Sequence, residues 1–566
     1  VWRAGAGWRE ALWLVLCVGA SSAWCVTASA RLGATFDEPT YVRLGLESWR
    51  SGTARRLLDL GTMPLPSRVQ TLPLYVWERW RGQPFDVDRD LGRLLRVARL
   101  GTLPFWWLLL VYGWRAGRSL GGPAGGRLAV AFLACEPNLL AHATLATTDT
   151  ALAACLMALL FQFRTGRDGP WAERVGAPAA WFGLAVLAKA SGLVFGLLGL
   201  VVIEAGRRAG AAAGVRPRLR AAAGTLSERA IRRDLAQIGA IGLAVSFVYC
   251  GTDWDVSPSF VAWARQLDGG PTGVAMVWLA EHLRVFSNAG VALARQVRHN
   301  VQGHGAFLLG QVAPRAIWYY FPAALTVKAP TALLLLPLAL AWLRPRSLVN
   351  WACGVTVAML AFSLVCRVQT GIRLVLPVLV LVAVGLAAAA ARAGAGRRRP
   401  ATAVALACAG WMAWSSASAW PHGLCFVNEL WGGSAGGYRL LSDSNYDWGQ
   451  GLKELARWQG RHQVADLTVF YYGTDTALSR LRMRRLEWSL PAPDLGGAAP
   501  AELRGRTLAV STSILFGSVS DWPMVRRWVT YLRSLQPADR TTTFLIYRFP
   551  GAGSAPGAQV AARGRP

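Results

Sequence analysis

Apolar residues come in long runs along the first three quarters of the chain and in short runs along the last quarter. Eleven runs approach the roughly 20 residues that a helix needs to cross a bilayer. They cover 10–31, 98–115, 127–144, 150–163, 176–189, 192–204, 235–251, 322–342, 350–366, 374–391 and 401–419. This pattern predicts a polytopic α-helical membrane protein with about eleven transmembrane helices over 1–419. The stretch 176–204 is split in two because Lys189, Ser191 and Gly192 interrupt it. Three long segments lie outside the runs: 32–97, 252–321 and the tail from 420. Within the first, Val42, Leu46 and Trp49 recur at helical spacing, which predicts an interfacial helix over 38–51. In the tail, 464–472, 507–513 and 543–549 read as strands and 449–461 and 522–535 as helices. A small α/β domain over 420–550 follows, with 551–566 (GAGSAPGAQVAARGRP) as a disordered end.

Composition agrees. Apolar residues are 53% of the chain and charged ones 16%, against about 25% charged in soluble proteins. An ordinary soluble enzyme, a fibre and a disordered chain are excluded. The net charge of +29 would by itself suggest nucleic acid or anionic lipid, so its placement decides. Segments 1–9, 115–127, 164–174, 204–234, 342–350 and 392–399 hold 22 arginines and five acids, whereas 144–149, 188–192 and 367–373 hold three basic residues. The positive-inside bias sets the N-terminus in the cytoplasm and the C-terminus outside. Much of the excess charge is therefore topological, with lipid head groups rather than nucleic acid as its partner. The predicted location is the cytoplasmic (inner) membrane, with the three long segments on its outer face. The nine cysteines form no CxxC pair and read as small core residues.

A few polar residues sit where an apolar protein tolerates them poorly. Asp37 and Glu38 follow the first run, in FDEPTY (36–41). A carboxylate there can take a proton from a hydroxyl, or cap the helix that Pro39 begins. Asp149 ends TLATTD (144–149) on the same predicted side, and with Thr148 it can equally cap the next helix. His142 reads as a polar packing residue. Only three of the 60 basic residues are lysines. One, Lys189, falls at a break between apolar helices and needs an anion, either a lipid phosphate or Asp149. Lys328, in WYYFPAALTVKAP (318–330), and Arg373, in RVQTGIRLVLP (367–377), lie on the same side. Each either serves a phosphate or extends to the interface. GGPAGG (121–126) lacks the Lys-Ser/Thr of a phosphate loop.

Taken in order, these motifs resemble the bacterial branch of the protein O-mannosyltransferase-like glycosyltransferases, in the GT-C superfamily. The likeness runs over most of the chain and adds GHGAFLLG (303–310) and FVNELWGGSAGGYRLLSDSNYDWGQGLKEL (426–455) to the stretches above. It implies a membrane glycosyltransferase moving a mannose-like hexose from a polyprenyl-phosphate donor to a hydroxyl acceptor on a protein, lipid or glycan. It implies Asp37 as the base or acceptor-orienting group with Glu38 beside it, Asp149 as the second acidic position, and Lys189 as a phosphate contact. Lys328, Arg373, His304 and Tyr319 are assigned to the donor site from their places in the motifs. No cofactor is certain; a divalent metal ion is a candidate, with Glu38 and Asp149 as its ligands. A His-Pro-Pro stretch of the first loop in relatives is absent from TMPLPSRVQTLP (62–73).

The expected reaction is a single displacement with inversion. A transporter or flippase of a lipid-linked or anionic substrate would use the same charges as a path, but no internal repeat is present in the sequence. A non-catalytic scaffold would leave Asp37 dispensable.

Overall fold

The structure is a computed structural model that describes residues 7–550, apart from 257, 268, 283, 285, 286, 396–398 and 488–499. The end segment 551–566, expected to be disordered, lies outside the described residues. Every predicted span has a helical counterpart. Among the described residues three helical stretches are long and apolar enough to cross a membrane, Gly7–Arg31, Val87–Ala134 and Ile372–Gly394. A fourth is reached if Tyr320–Lys328 and Thr331–Leu343 count as one span. Some of the others are shorter, with 12 residues in Ala177–Ala188 and 13 in Trp351–Ser363, and Ser191–Ala211 carries Glu204, Arg207 and Arg208.

The core is built by helix Leu376–Gly394, apolar on nearly every side and buried almost throughout. It packs most extensively against Leu103–Ala134. That element is two antiparallel helices joined at Gly121 and Gly122, where Gly122 takes φ +67°. The segment 115–127, expected as a cytoplasmic loop, is thus mostly helix. Its glycines explain the tight turn: a Cβ on Gly117 would stand 2.6 Å from the Gly125 carbonyl oxygen. Small residues let the two backbones approach where no side chain fits.

The predicted span 322–342 is also corrected. Tyr320–Lys328 and Thr331–Leu343 are bent by 100°, because Pro330 cannot continue the first helix and restricts the residue before it. The bend places Lys328 at a helix end inside the protein. At Lys189 the break expected from sequence is present. Ala177–Ala188 ends, Lys189 is extended (φ −164°, ψ 139°), and Ser191–Ala211 begins.

The tail folds around a five-stranded mixed sheet. Leu467–Phe470 lies between Met483–Arg485 and Thr507–Ser511, parallel to both. Phe544–Arg548 pairs antiparallel with Thr507–Ser511 and with Asp539–Arg540. Successive side chains point to opposite faces. Leu508, Val510, Leu545 and Tyr547 join one apolar cluster with Trp528 of helix Pro523–Ser534. Ala509, Phe544 and Ile546 join another with Leu455 and Trp458 of helix Leu452–Arg461. Helices on both faces therefore bury the sheet. Strands Met483–Arg485 and Asp539–Arg540 were missed by the sequence reading, being short and charged.

The tail is hydrogen-bonded to the first loop. Gly33 N–H donates to the Gln450 carbonyl and Phe36 N–H to the Trp448 carbonyl, each at 2.8 Å. Ala34 N–H donates to Asp475 Oδ2 at 2.9 Å. These bonds hold Asp37 beneath the tail.

Candidate active site

Helix Glu38–Ser51 begins right after Asp37, as the spacing predicts. Asp37 stands at its N-cap but makes no capping hydrogen bond. Its Oδ2 instead accepts from Arg373 Nη1 at 2.9 Å, with Tyr41 Oη 3.5 Å away. Arg373 comes from the turn before Leu376–Gly394, and its guanidinium lies 4.2 Å from the centre of the Trp448 ring. The pair thus joins three regions far apart in sequence, and the solvent exposure of its side chains is 24% for Asp37 and 12% for Arg373.

Glu38 turns the other way and is fully buried. Its Oε1 accepts from Arg99 Nε at 2.8 Å and Ala146 N–H at 2.8 Å. Oε2 accepts from Arg99 Nη2 at 2.6 Å and Thr35 N–H at 2.9 Å. Burial pushes this carboxyl upward, but Arg99 and the two amides outweigh it and hold it below its usual range. Arg99 also donates to the carbonyls of Ser29 and Gly33, at 3.0 and 2.7 Å. Glu38 is therefore a latch that fixes the first loop, with both of its oxygens occupied by hydrogen bonds from the protein itself.

Asp149 opens helix Asp149–Gly166 and is completely buried. Its Oδ1 accepts from Lys189 Nζ at 2.5 Å, so the sequence alternative of a structural partner for Lys189 is present in the geometry. Its other oxygen, Oδ2, is buried without a hydrogen-bond partner, and so are Arg373 Nε and His142 Nδ1. The charges of Asp37, Asp149, Lys189 and Arg373 act on one another. Two ion pairs and three unsatisfied polar atoms thus converge on one place. Buried polar atoms are normally satisfied, so the arrangement keeps hydrogen-bonding capacity for a polar ligand.

Lys328 belongs elsewhere. Its Nζ donates to the carbonyls of Leu424, Phe426 and Asn445 at 2.8, 2.6 and 2.9 Å. All three ammonium donors are used, so it clamps the tail's entry to the bent helix and leaves nothing for a phosphate. Tyr319 is exposed and packs edge-on against Trp318 at 5.4 Å. Its neighbour Tyr320 is the buried one, accepting from Asn445 Nδ2 at 2.9 Å. His304 precedes the hairpin of Ala306–Leu308 and Gln311–Ala313, with its ring 5.3 Å from His299. It feels the charge of Asp443.

Asp443 and Tyr472 were missed as candidates. Tyr472 Oη donates to Asp443 Oδ2 at 2.7 Å, and Asp443 acts electrostatically on Arg373. The signal was present in SDSNYDW (442–448), a stretch with two acids inside the 426–455 motif. Nothing in a linear reading brings it next to Arg373.

The two carboxylates named as candidate metal ligands do not come together. Glu38 and Asp149 are committed to different cations, and among the described residues no three His, Cys, Asp or Glu side chains group as metal ligands.

No family model and no curated protein matches the chain. Among solved structures it is similar to ArnT from Cupriavidus metallidurans bound to undecaprenyl phosphate, at 14% identity over 96% of this chain and 98% of that one, with a TM-score of 0.45. The apo state of the same protein is matched at 14% identity over 94% and 97%, with a TM-score of 0.30. A likeness of this depth assigns neither substrate nor residue roles.

Proposed function

We propose that the protein is a multi-pass glycosyltransferase of the cytoplasmic membrane that moves a hexose, mannose-like in the family it resembles, from a polyprenyl phosphate to a hydroxyl on the outer face. The observation that carries this reading is the convergence of Asp37–Arg373 with Asp149–Lys189 at unsatisfied polar atoms, among apolar helices. The ordered motifs point the same way. Asp37 takes the proton of the attacking hydroxyl. Arg373 and Lys189 face the phosphate that departs as the acceptor oxygen bonds to the anomeric carbon, and they stabilise its charge. Asp149 holds Lys189 in place, and attack opposite the leaving phosphate inverts the centre. The eleven-helix topology, with an outer domain over 420–550, belongs to this proposal.

A nucleotide sugar is not the donor in this account. The predicted cytoplasmic loops are short, and the charged pairs lie on the predicted outer side. Purified protein in nanodiscs, given radiolabelled sugar on polyprenyl phosphate or on a nucleotide with envelope acceptors, tests the claim. Transfer from the lipid carrier alone is expected, and transfer from the nucleotide without any lipid refutes it. Cysteine labelling near positions 220 and 480, in a background cleared of native cysteines, checks the topology. Reaction of both positions from the same side overturns it.

A further inference from the structure

The charged pairs have a second wall, and the tail supplies it. Asp443 sits in the left-handed region with φ +56°, a conformation that a non-glycine residue holds only when its surroundings impose it. The surroundings do so. Asp443 N–H donates to Ser513 Oγ at 3.0 Å, and its Oδ1 accepts from Ser444 N–H at 2.6 Å. The turn is also tied to the Arg373 segment. Ser444 Oγ donates to the Thr370 carbonyl at 2.5 Å, and Ile372 N–H donates to Asn445 Oδ1 at 2.9 Å. A Cβ on Gly371 would stand 2.1 Å from Ser444 Oγ, and only glycine fits that approach.

The result is a carboxylate of a third kind. Asp37 has Arg373 and Asp149 has Lys189, whereas among the described residues Asp443 has no cation at ion-pair distance. Its oxygens receive one hydrogen bond each, from Ser444 N–H and Tyr472 Oη, and each keeps a further lone pair. Asp443 is only partly covered. Beside it the Tyr472 ring meets the ring of Phe36 at 5.4 Å, and Phe36 is 41% exposed. Phe36 directly precedes Asp37. An apolar aromatic face and a hydrogen-bond-accepting carboxylate therefore border the proposed base.

We infer that Asp443, Tyr472 and Phe36 form the acceptor subsite, and that the acceptor hydroxyl belongs to a sugar. This inference rests on the transferase reading above. A sugar ring offers a C–H face to lie on aromatic carbon and adjacent hydroxyls to donate to a carboxylate, matching both features at once. A seryl or threonyl side chain offers one hydroxyl and no such face. Burial also lifts the Asp443 carboxyl above its usual range, against Arg373 and the Tyr472 bond, which softens its repulsion of a donor phosphate. Asp443 and Tyr472 are positioning residues here, and the proton still goes to Asp37.

The test uses the full-length protein in nanodiscs with radiolabelled polyprenyl-phosphate sugar. Three acceptors are compared: water, methyl hexosides with hexose-terminated oligosaccharides, and a Ser/Thr-rich peptide. Wild type is expected to transfer to sugars and not to the peptide. Asp443→Asn keeps volume and tolerates the left-handed turn. It is expected to raise the KM for the sugar roughly tenfold to a hundredfold, as for a lost hydrogen bond to a charged group, and to reduce transfer to the sugar well beyond any change in release of sugar to water. Tyr472→Phe is expected to shift KM in the same direction by less, and Asp443→Glu to recover part of the loss. An unchanged KM, an equal loss of hydrolysis and transfer, or use of the peptide alone overturns the assignment. Wild type that moves sugar to none of the three overturns the transferase reading itself.

Discussion

Asp37 and Glu38 are neighbours in sequence, each paired with an arginine, and the two pairs have opposite characters. Glu38–Arg99 is sealed, with side chains 0% and 1% exposed and each carboxylate oxygen accepting at least two hydrogen bonds. Asp37–Arg373 is partly open and leaves Arg373 Nε unsatisfied. The comparison teaches that a buried ion pair is not itself a sign of chemistry. Saturation distinguishes the two. A saturated pair fixes backbone, whereas an unsaturated pair at a boundary has capacity left for a ligand. The same rule separates Lys328, with three carbonyls on its ammonium, from Lys189, which has Asp149.

The comparison can be broken by substitution. The largest effect is expected at the latch. Arg99→Met strands the Glu38 carboxylate and should cost about 3–5 kcal/mol of stability, the usual range for breaking a buried pair. Thermal unfolding in detergent measures it. Glu38 adds an acid dependence. Its carboxyl is depressed in the folded protein, so its contribution is present above the unfolded value near pH ~4.3 and is lost as pH falls through the folded value. Glu38→Gln should flatten that loss in melts taken across the acid range.

Lys189 should show a smaller effect, on binding rather than folding. Lys189→Met is expected to weaken donor binding by roughly tenfold to a hundredfold, the range for a hydrogen bond to a charged group. Lys189→Arg should restore part of it, because the site needs charge more than a particular geometry. Titration with polyprenyl phosphate reads both, and unchanged affinity in the methionine variant would remove Lys189 from the site. The smallest effect is expected at Tyr319, whose ring is exposed. Tyr319→Phe should change stability by less than about 0.5 kcal/mol and leave turnover alone. A clear loss of turnover would return Tyr319 to the donor site.

Much of this was legible along the chain. Long apolar runs located the helices of the predicted spans, and the spacing of Val42, Leu46 and Trp49 located helix Glu38–Ser51. Short apolar runs marked the three central strands of the tail. What periodicity could not show was pairing across sequence. FDEPTY identifies two acids, but only the fold brings Arg99 to one and Arg373 to the other. Lys328 looked like a phosphate ligand because its partners are backbone carbonyls, which no composition reveals. Tyr319 and Tyr320 are adjacent at a helix start, and sequence carries no mark of which one turns inward. Asp443 was passed over because its turn is polar and glycine-flanked, the ordinary appearance of a surface loop.

The most direct measurement compares Asp37→Asn with wild type, following both thermal unfolding and sugar transfer from polyprenyl phosphate in purified protein. The substitution keeps volume and removes the base, without touching the Glu38 latch. The account predicts an unchanged melting transition and a fall in turnover of about 100-fold or more, the lower end for losing a general base. Near-wild-type turnover in a fully folded variant would contradict it and leave Asp37 as a structural partner of Arg373.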